Sequence, residues 1–191
     1  PKNSYPAAAK VASLVSATNA QHAKLILKIS YNIGADSSLV LLGLAHGVDN
    51  MADALAVEKQ ELTTRYGISA DDTAKNGAVT EWLRIMIRQR DFHSFFNALP
   101  ILGVDGSLAI VKDFQSDPTL AGATGKVRAK TGTFADEVNN QLVLRGQAFG
   151  GYIKASSGRD LVYQLVVNNV VIDEIEDILD VFQDEGTISA I

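Results

Sequence analysis

The chain has no cysteine among its 191 residues. That excludes disulfide staples, a thiolate nucleophile and a cysteine-built zinc cage, but it does not choose a compartment, because bacterial envelope proteins often do without cysteine. Long apolar runs are missing as well. The longest, Leu39 to Ala45, has Gly43 inside it and falls far short of the roughly 18–20 residues that a membrane helix needs. Basic runs are absent too: 17 Lys and Arg stand against 22 Asp and Glu, for a net charge of −5. Phosphate binding requires clustered cations, so nucleic acid is excluded as a partner. Histidine is scarce, and His22, His46 and His93 have no metal-ligand spacing, so neither a metal nor another cofactor is expected. With 47% apolar residues and a mild charge, the chain also lacks the signature of disorder.

What is present fits one compact domain, since a chain of this length can bury about 70% of its unfolded surface in a single core. Residues 1–16, with two prolines, read as an extended lead-in. Helical periodicity predicts a helix over Ala17–Ile29, a break at Ser30–Gly34, and a second helix over Ala35–His46. This second segment is so apolar that it is expected at the centre of the core. Residues 50–66 predict an amphipathic helix closed by Gly67, with Met51, Leu55 and Leu62 on its buried stripe. Residues 67–77 read as loop and 78–90 as a helix with Val79, Trp82, Leu83 and Met86 on one face, while Asp91 predicts an N-cap for a short helix ending before Pro100. Beyond residue 100, Gly and Asp-Gly punctuation predicts turns, and Asp105-Gly106 reads as one of them. Residues 126–134, 141–155 and 160–168 are β-rich, with a hairpin at Ser156–Arg159. Val171–Gln183 predicts a closing helix, its acids at 173, 174, 176 and 177 forming a solvated face. Helices first, an antiparallel sheet later and a covering helix make an α+β fold.

Two short patterns carry the chemistry. Lys130-Thr131-Gly132-Thr133 lies within a predicted strand and offers a cation, two hydroxyls and backbone groups to an extended peptide. Ser30-Tyr31-Asn32 lies in the break before the apolar helix, where a plain helix-end turn would also suit Ser and Asn. The Lys130 strand follows 98 residues after Asn32, an order shared with active-site serine penicillin-recognising enzymes. The segments SYNIGADSSLVLLGLAHG, LPILGVDGSL, GKVRAKTGTF and QAFGGYIKASSGRDLVYQLVVNN occur in the order of the D-alanyl-D-alanine carboxypeptidases of the penicillin-binding protein 4 type. The chain resembles that S13 peptidase family, as the C-terminal part of its catalytic domain over residues 1–191.

The resemblance implies a penicillin-recognising serine transpeptidase/β-lactamase-like fold, and an acyl-enzyme route on D-Ala-D-Ala peptides of peptidoglycan, with β-lactams as inhibitors. Ser30 would relay a proton to the leaving amine, and the Asn32 amide would hold the substrate backbone. Lys130 would supply positive potential. Thr131 and Thr133 would bind the terminal carboxylate, with the Thr133 N–H in the oxyanion hole, and Gly132 would admit the substrate backbone. The resemblance also implies a location in the periplasm or outside the cell. Two departures stand out. None of the thirteen serines is followed three residues later by lysine, so the family's SxxK nucleophile is not in this sequence. The loop before Gly77 is also shorter than the family's Gly- and Ser-rich stretch. Together with Pro1 in place of methionine, the missing motif is read as loss of an upstream segment that would be a partner of this chain. Such a chain should not acylate alone, and should expose an apolar trough along the Ala35–His46 helix. The alternatives are a non-catalytic module that binds peptidoglycan or a partner protein, and a β-lactamase with the same motif order.

Overall fold

The first helix begins where the sequence provides a cap. The Thr18 hydroxyl accepts from the Gln21 N–H while the Gln21 side chain accepts from the Thr18 N–H at 2.9 Å, a capping box that satisfies two orphan donors. The computed structural model describes residues 6–9, 11–69 and 77–191; most of the expected loop at 67–77 lies outside them. Residues 11–18 are an exposed lead-in without regular structure. Helix α1 (Asn19–Ile29) ends at Ser30 in a left-handed conformation, φ 55. Helix α2 (Asn32–Ala45) then starts earlier than expected, so the break is confined to Ser30 and Tyr31. Gly34 permits this tight reversal: a Cβ there would stand 2.7 Å from both Ile26 and Tyr31 side chains.

Helix α2 pairs with α3 (Met51–Tyr66), which Asn50 caps and Gly67 closes. Their seam is Gly43 against Ala54, where a Cβ on Gly43 would meet that of Ala54 at 2.8 Å. The expectation that α2 forms the centre of the core is wrong. Gly34 and Gly43 are its buried residues, whereas Ile33, Leu41 and Leu44 are more than half exposed. Within this chain α2 packs against α3 and the end of α1, which leaves its remaining apolar face uncovered, the trough that a missing nucleophile segment implied. Met51 and Leu55 of α3 are likewise exposed, and Ala54 is the buried contact.

Helix α4 (Ala78–Met86) stops four residues earlier than expected, in turns. Helix α5 (Phe92–Ala98) follows Asp91, which occupies the cap position without making a side-chain cap bond. The two helices carry an aromatic cluster in which Trp82 meets Phe95 edge-on at 5.3 Å and Phe92 meets Tyr152 at 5.4 Å. Three 3₁₀ turns, Gly106–Leu108, Asp113–Ser116 and Ala121–Ala123, occupy the punctuated stretch.

The sheet is antiparallel, with order β1 (Val127–Val138), β2 (Gln141–Lys154), β3 (Asp160–Val167). Strand β1 runs four residues beyond its predicted end at 134, because Asn139 and Asn140, both at positive φ, form the tight turn that joins it to β2. The expected helix over Val171–Gln183 is corrected: Val170–Ile172 is a fourth strand, β4, paired with Leu142–Leu144 of β2, and helix α6 runs over Asp177–Ala190. β-branched residues favour the pleated pairing, and the Asp177 carboxylate then accepts from the N–H groups of Asp173 and Glu174. Asp173, Glu174 and Glu176 are exposed, as expected of solvated acids, but they precede α6, and the Asp177 carboxylate closes the turn into it. Ile175 and Leu179 are half exposed; the buried face of α6 is Phe182, Glu185, Gly186 and Ser189. Phe182 packs edge-on against Phe149 at 5.0 Å, and Gly186 lets Val111 approach so closely that any Cβ would clash with it. Helices α4 and α5 cover one face of the sheet and α6 the other, which confirms the α+β arrangement.

Candidate active site

Ser30 and Lys130 are brought together from positions 100 residues apart. Ser30 caps α1, and its left-handed backbone turns its side chain at the junction with α2 toward β1. The Lys130 Nζ donates to Ser30 Oγ at 2.6 Å and to the Thr131 carbonyl oxygen. Burial lowers the pKa of Lys130, so its protons are held less tightly than those of a surface lysine. With its oxygen accepting from the lysine, Ser30 is left with its own O–H as a donor.

The end of α1 is anchored by an ion pair. Lys28 Nζ donates to both carboxylate oxygens of Asp105, at 2.6 and 2.7 Å, and to the Leu99 carbonyl. Asp105 Oδ1 also accepts from the Ile101 N–H at 3.0 Å. Gly106 sits so close beneath α1 that a Cβ would lie 2.6 Å from the Lys28 carbonyl oxygen. The predicted Asp105-Gly106 turn is thus also the bracket that fixes Ser30 against the sheet.

Strand β1 is an edge strand in the sheet order. Its outer edge is covered at first, where the Ala129 N–H donates to the Pro100 carbonyl and the Val127 carbonyl accepts from Leu102. Since strand backbone groups alternate in direction with a period of two, Thr131 and Thr133 present their N–H and C=O groups on the same outer edge, beyond that cover. Thr131 Oγ1 and Ser107 Oγ are hydrogen-bonded at 2.9 Å. Thr133 Oγ1 donates to Gln147 Oε1, its cross-strand partner on β2, at 2.6 Å. A Cβ at Gly132 would meet nothing within 4 Å, so the space above it is open.

Ser30, Asn32, Lys130, Thr131, Gly132 and Thr133 all line one cleft of about 720 Å³, closed at one side by Ile110 and Phe182. On the other side of Lys130–Gly132 lies an apolar cavity of about 390 Å³ walled by Leu27, Val79, Trp82 and Phe95. The cleft thus offers a cation, a serine hydroxyl, a side-chain amide and an open strand edge, a set suited to an extended peptide with a terminal carboxylate. Sequence reasoning missed Ser107, Gln147 and the Lys28–Asp105 bracket. Ser107 and Asp105 stand inside the LPILGVDGSL segment, which was the available signal; the pairing with Lys28 spans 77 residues and leaves no local mark.

The chain matches the D-Ala-D-Ala carboxypeptidase 3 (S13) family over residues 2–185. Its structure is similar to the crystal structure of penicillin binding protein 4 (dacB) from Haemophilus influenzae, with a TM-score of 0.61 and 18% identity, over 82% of this chain and 35% of that one. It therefore spans about a third of the length of that protein. No curated protein matches the chain. The fold is the α+β penicillin-recognising fold, and the chain belongs to the S13 family of D-Ala-D-Ala carboxypeptidases.

Proposed function

We propose that residues 1–191 form the C-terminal portion of a serine D-Ala-D-Ala carboxypeptidase or endopeptidase domain, which acts on peptidoglycan stem peptides outside the cytoplasmic membrane and binds penicillin. The observation that carries this reading is the Lys130–Ser30 hydrogen bond, set at the open edge of a strand whose threonines face the same cleft. The substrate lies extended along β1, its terminal carboxylate on Thr131 and Thr133 and its backbone on the Asn32 amide. The positive potential of Lys130 favours that carboxylate. A serine oxygen supplied by a segment outside this sequence attacks the carbonyl carbon of the penultimate D-Ala. The Thr133 N–H stabilises the oxyanion. Ser30 relays the proton that the attacking serine gives up, taking it as it passes its own to the departing amine while the C–N bond breaks, and water then hydrolyses the ester. The apolar cavity behind Lys130–Gly132 is where the nucleophile-bearing segment reaches the site.

The absence of any SxxK pattern also supports a second reading, a module that holds stem peptides or a partner without chemistry. Incubation of the 191-residue chain with a fluorescent penicillin separates the cases. No covalent label is expected on the chain alone, and stoichiometric labelling would overturn the need for an external nucleophile. Labelling of the complete translated product supports the enzyme; its failure there supports the module.

A further inference from the structure

Beneath the cleft, on the sheet face covered by α6, sits a polar cluster that the mechanism above does not use. Gln147 and Glu185 are both fully buried. Gln147 spends its oxygen on the Thr133 hydroxyl, which leaves its Nε2 without a hydrogen-bond partner among the described residues; both carboxyl oxygens of Glu185 are in the same condition. The Gln147 amide and the Val167 N–H are close enough to oppose part of the rise that burial imposes on the Glu185 pKa. Neither contact has the geometry of a made hydrogen bond, and geometry decides what is bonded. Buried polar groups left in this state are uncommon and call for a reason.

The reason lies in how many protons each group has. A threonine hydroxyl carries one. While Thr133 donates it to Gln147, none is left for a ligand carboxylate, which accepts only. If the amide is reversed, Gln147 Nε2 donates to Thr133 Oγ1 and the hydroxyl proton turns into the cleft. The amide's direction is set at its other end. An ionised Glu185 only accepts, so it draws Nε2 and keeps Oε1 on Thr133. A protonated Glu185 donates to Oε1, which releases Nε2 toward Thr133. We propose that Gln147 and Glu185 are positioning residues that set the direction of the Thr133 hydroxyl: a proton on Glu185 turns Thr133 into a donor for an anionic ligand, and loss of that proton turns it away. This rests on the reading of Thr133 as a carboxylate-binding residue. The proton comes from solvent and no bond other than O–H changes.

The surroundings leave Glu185 free to act as the titrating group. From β3 it is faced by Tyr163, whose phenol is held protonated because burial and the nearby carboxyl push its pKa up. From β2 it is faced by neutral Gln147. From α6 itself, Ser189 donates to the Glu185 carbonyl at 2.7 Å. The stretch packed against α6 contributes buried Val111 and Phe114, while its Lys112 and Asp113 are exposed. Burial raises the Glu185 carboxyl to about 7, so the relay would change state in the neutral range.

Two measurements on the 191-residue chain test this. In the ligand-free protein, the Gln147 side-chain amide NMR resonances should titrate with a midpoint near 7 and stop doing so in Glu185→Gln. The affinity for diacetyl-Lys-D-Ala-D-Ala should fall about tenfold more between pH 6 and pH 8 in the native chain than in Glu185→Gln, the scale of one charge-assisted hydrogen bond. The lowered Lys130 pKa is common to both chains, so any effect of it on binding cancels in that difference. Gln147→Met, which removes the amide and keeps the volume, should match the shallow profile of Glu185→Gln. Identical pH profiles in all three chains, or a Gln147 amide that does not titrate, would overturn the proposal. The C-terminal amide of the same peptide isolates the underlying reading. Equal binding of acid and amide at every pH, with Gln147 titrating, would overturn the carboxylate assignment of Thr133 and the ligand half of the relay together.

Discussion

The hydrogen bond from Lys130 to Ser30 has a direction, and the chemistry follows from it. An ammonium has no acceptor, so Ser30 can only accept from Lys130 and keeps its own proton for another group in the cleft. Glu185 governs a separate property, the stability of the fold. Burial moves its pKa from 4.5 to about 7, so between these values the folded chain retains a proton that the unfolded chain releases. Its contribution to stability is full below about pH 4.5 and drains as pH rises toward 7, by up to roughly 3 kcal/mol. Glu185→Gln cannot ionise. The variant should therefore gain thermal stability relative to the native chain as pH rises from about 4.5 to 8, when melting is followed by circular dichroism. A constant gap between the two across that range would mean that Glu185 is not held protonated by burial. Ser30, Asn32 and Lys130–Thr133 were legible in the sequence because motif order marks them. Glu185 was not, since it stands among acids from Asp173 to Asp184 and no neighbouring letter says which one is buried. The spacing of Phe182, Glu185, Gly186 and Ser189 was the signal, a helical stripe that starts inside the predicted helix and runs six residues past its predicted end at Gln183.

Among the elements, α1 matters to the site because it delivers Ser30, and Lys28–Asp105 holds it there. Lys28 is only 12% exposed whereas Asp105 is 43% exposed, so the pair is screened on one side and its net contribution to stability is modest. Removing the acid alone is worse than removing both, because a nearly buried ammonium loses its partner. Asp105→Ala should destabilise the chain by about 1–3 kcal/mol in urea denaturation, and Lys28→Met/Asp105→Leu by less. If the double variant is as unstable as the single, the pair is not what leaves the lysine stranded. Strands were easier to anticipate than helix boundaries. Alternation and turn residues placed three strands near their observed positions, since both signals are local. Strand β4 escaped because Val170–Ile172 reads equally as the start of an apolar helix; its pairing with Leu142–Leu144, 28 residues away, decides the matter. Helix α2 shows the converse: composition identified the helix and misplaced its burial, because burial depends on what covers it.

At the scale of the whole molecule, the accessible surface is 12568 Å², where a compact monomer of 20.4 kDa would expose about 8800 Å². Part of the excess is the lead-in, where Val11, Leu14 and Val15 are almost fully exposed, and part is the α2–α3 pair, with Ile33, Leu41, Leu44, Met51 and Leu55 open to solvent. Apolar surface on this scale is costly to leave hydrated, at about 25 cal/mol per Å², and it favours association. The chain should bind an apolar reporter dye and sediment with a concentration-dependent coefficient. Leu41→Glu/Leu44→Glu should reduce both effects with little loss of folding stability, because these side chains are already more than half exposed and their replacement opens no cavity. A chain that sediments as a monomer at every concentration and binds no dye would show that the α2 face is not sticky. A double variant that unfolds would show instead that the two leucines pack against the rest of the fold. If association is lost and folding kept, the surface that α2 exposes is the surface that something else is built to cover.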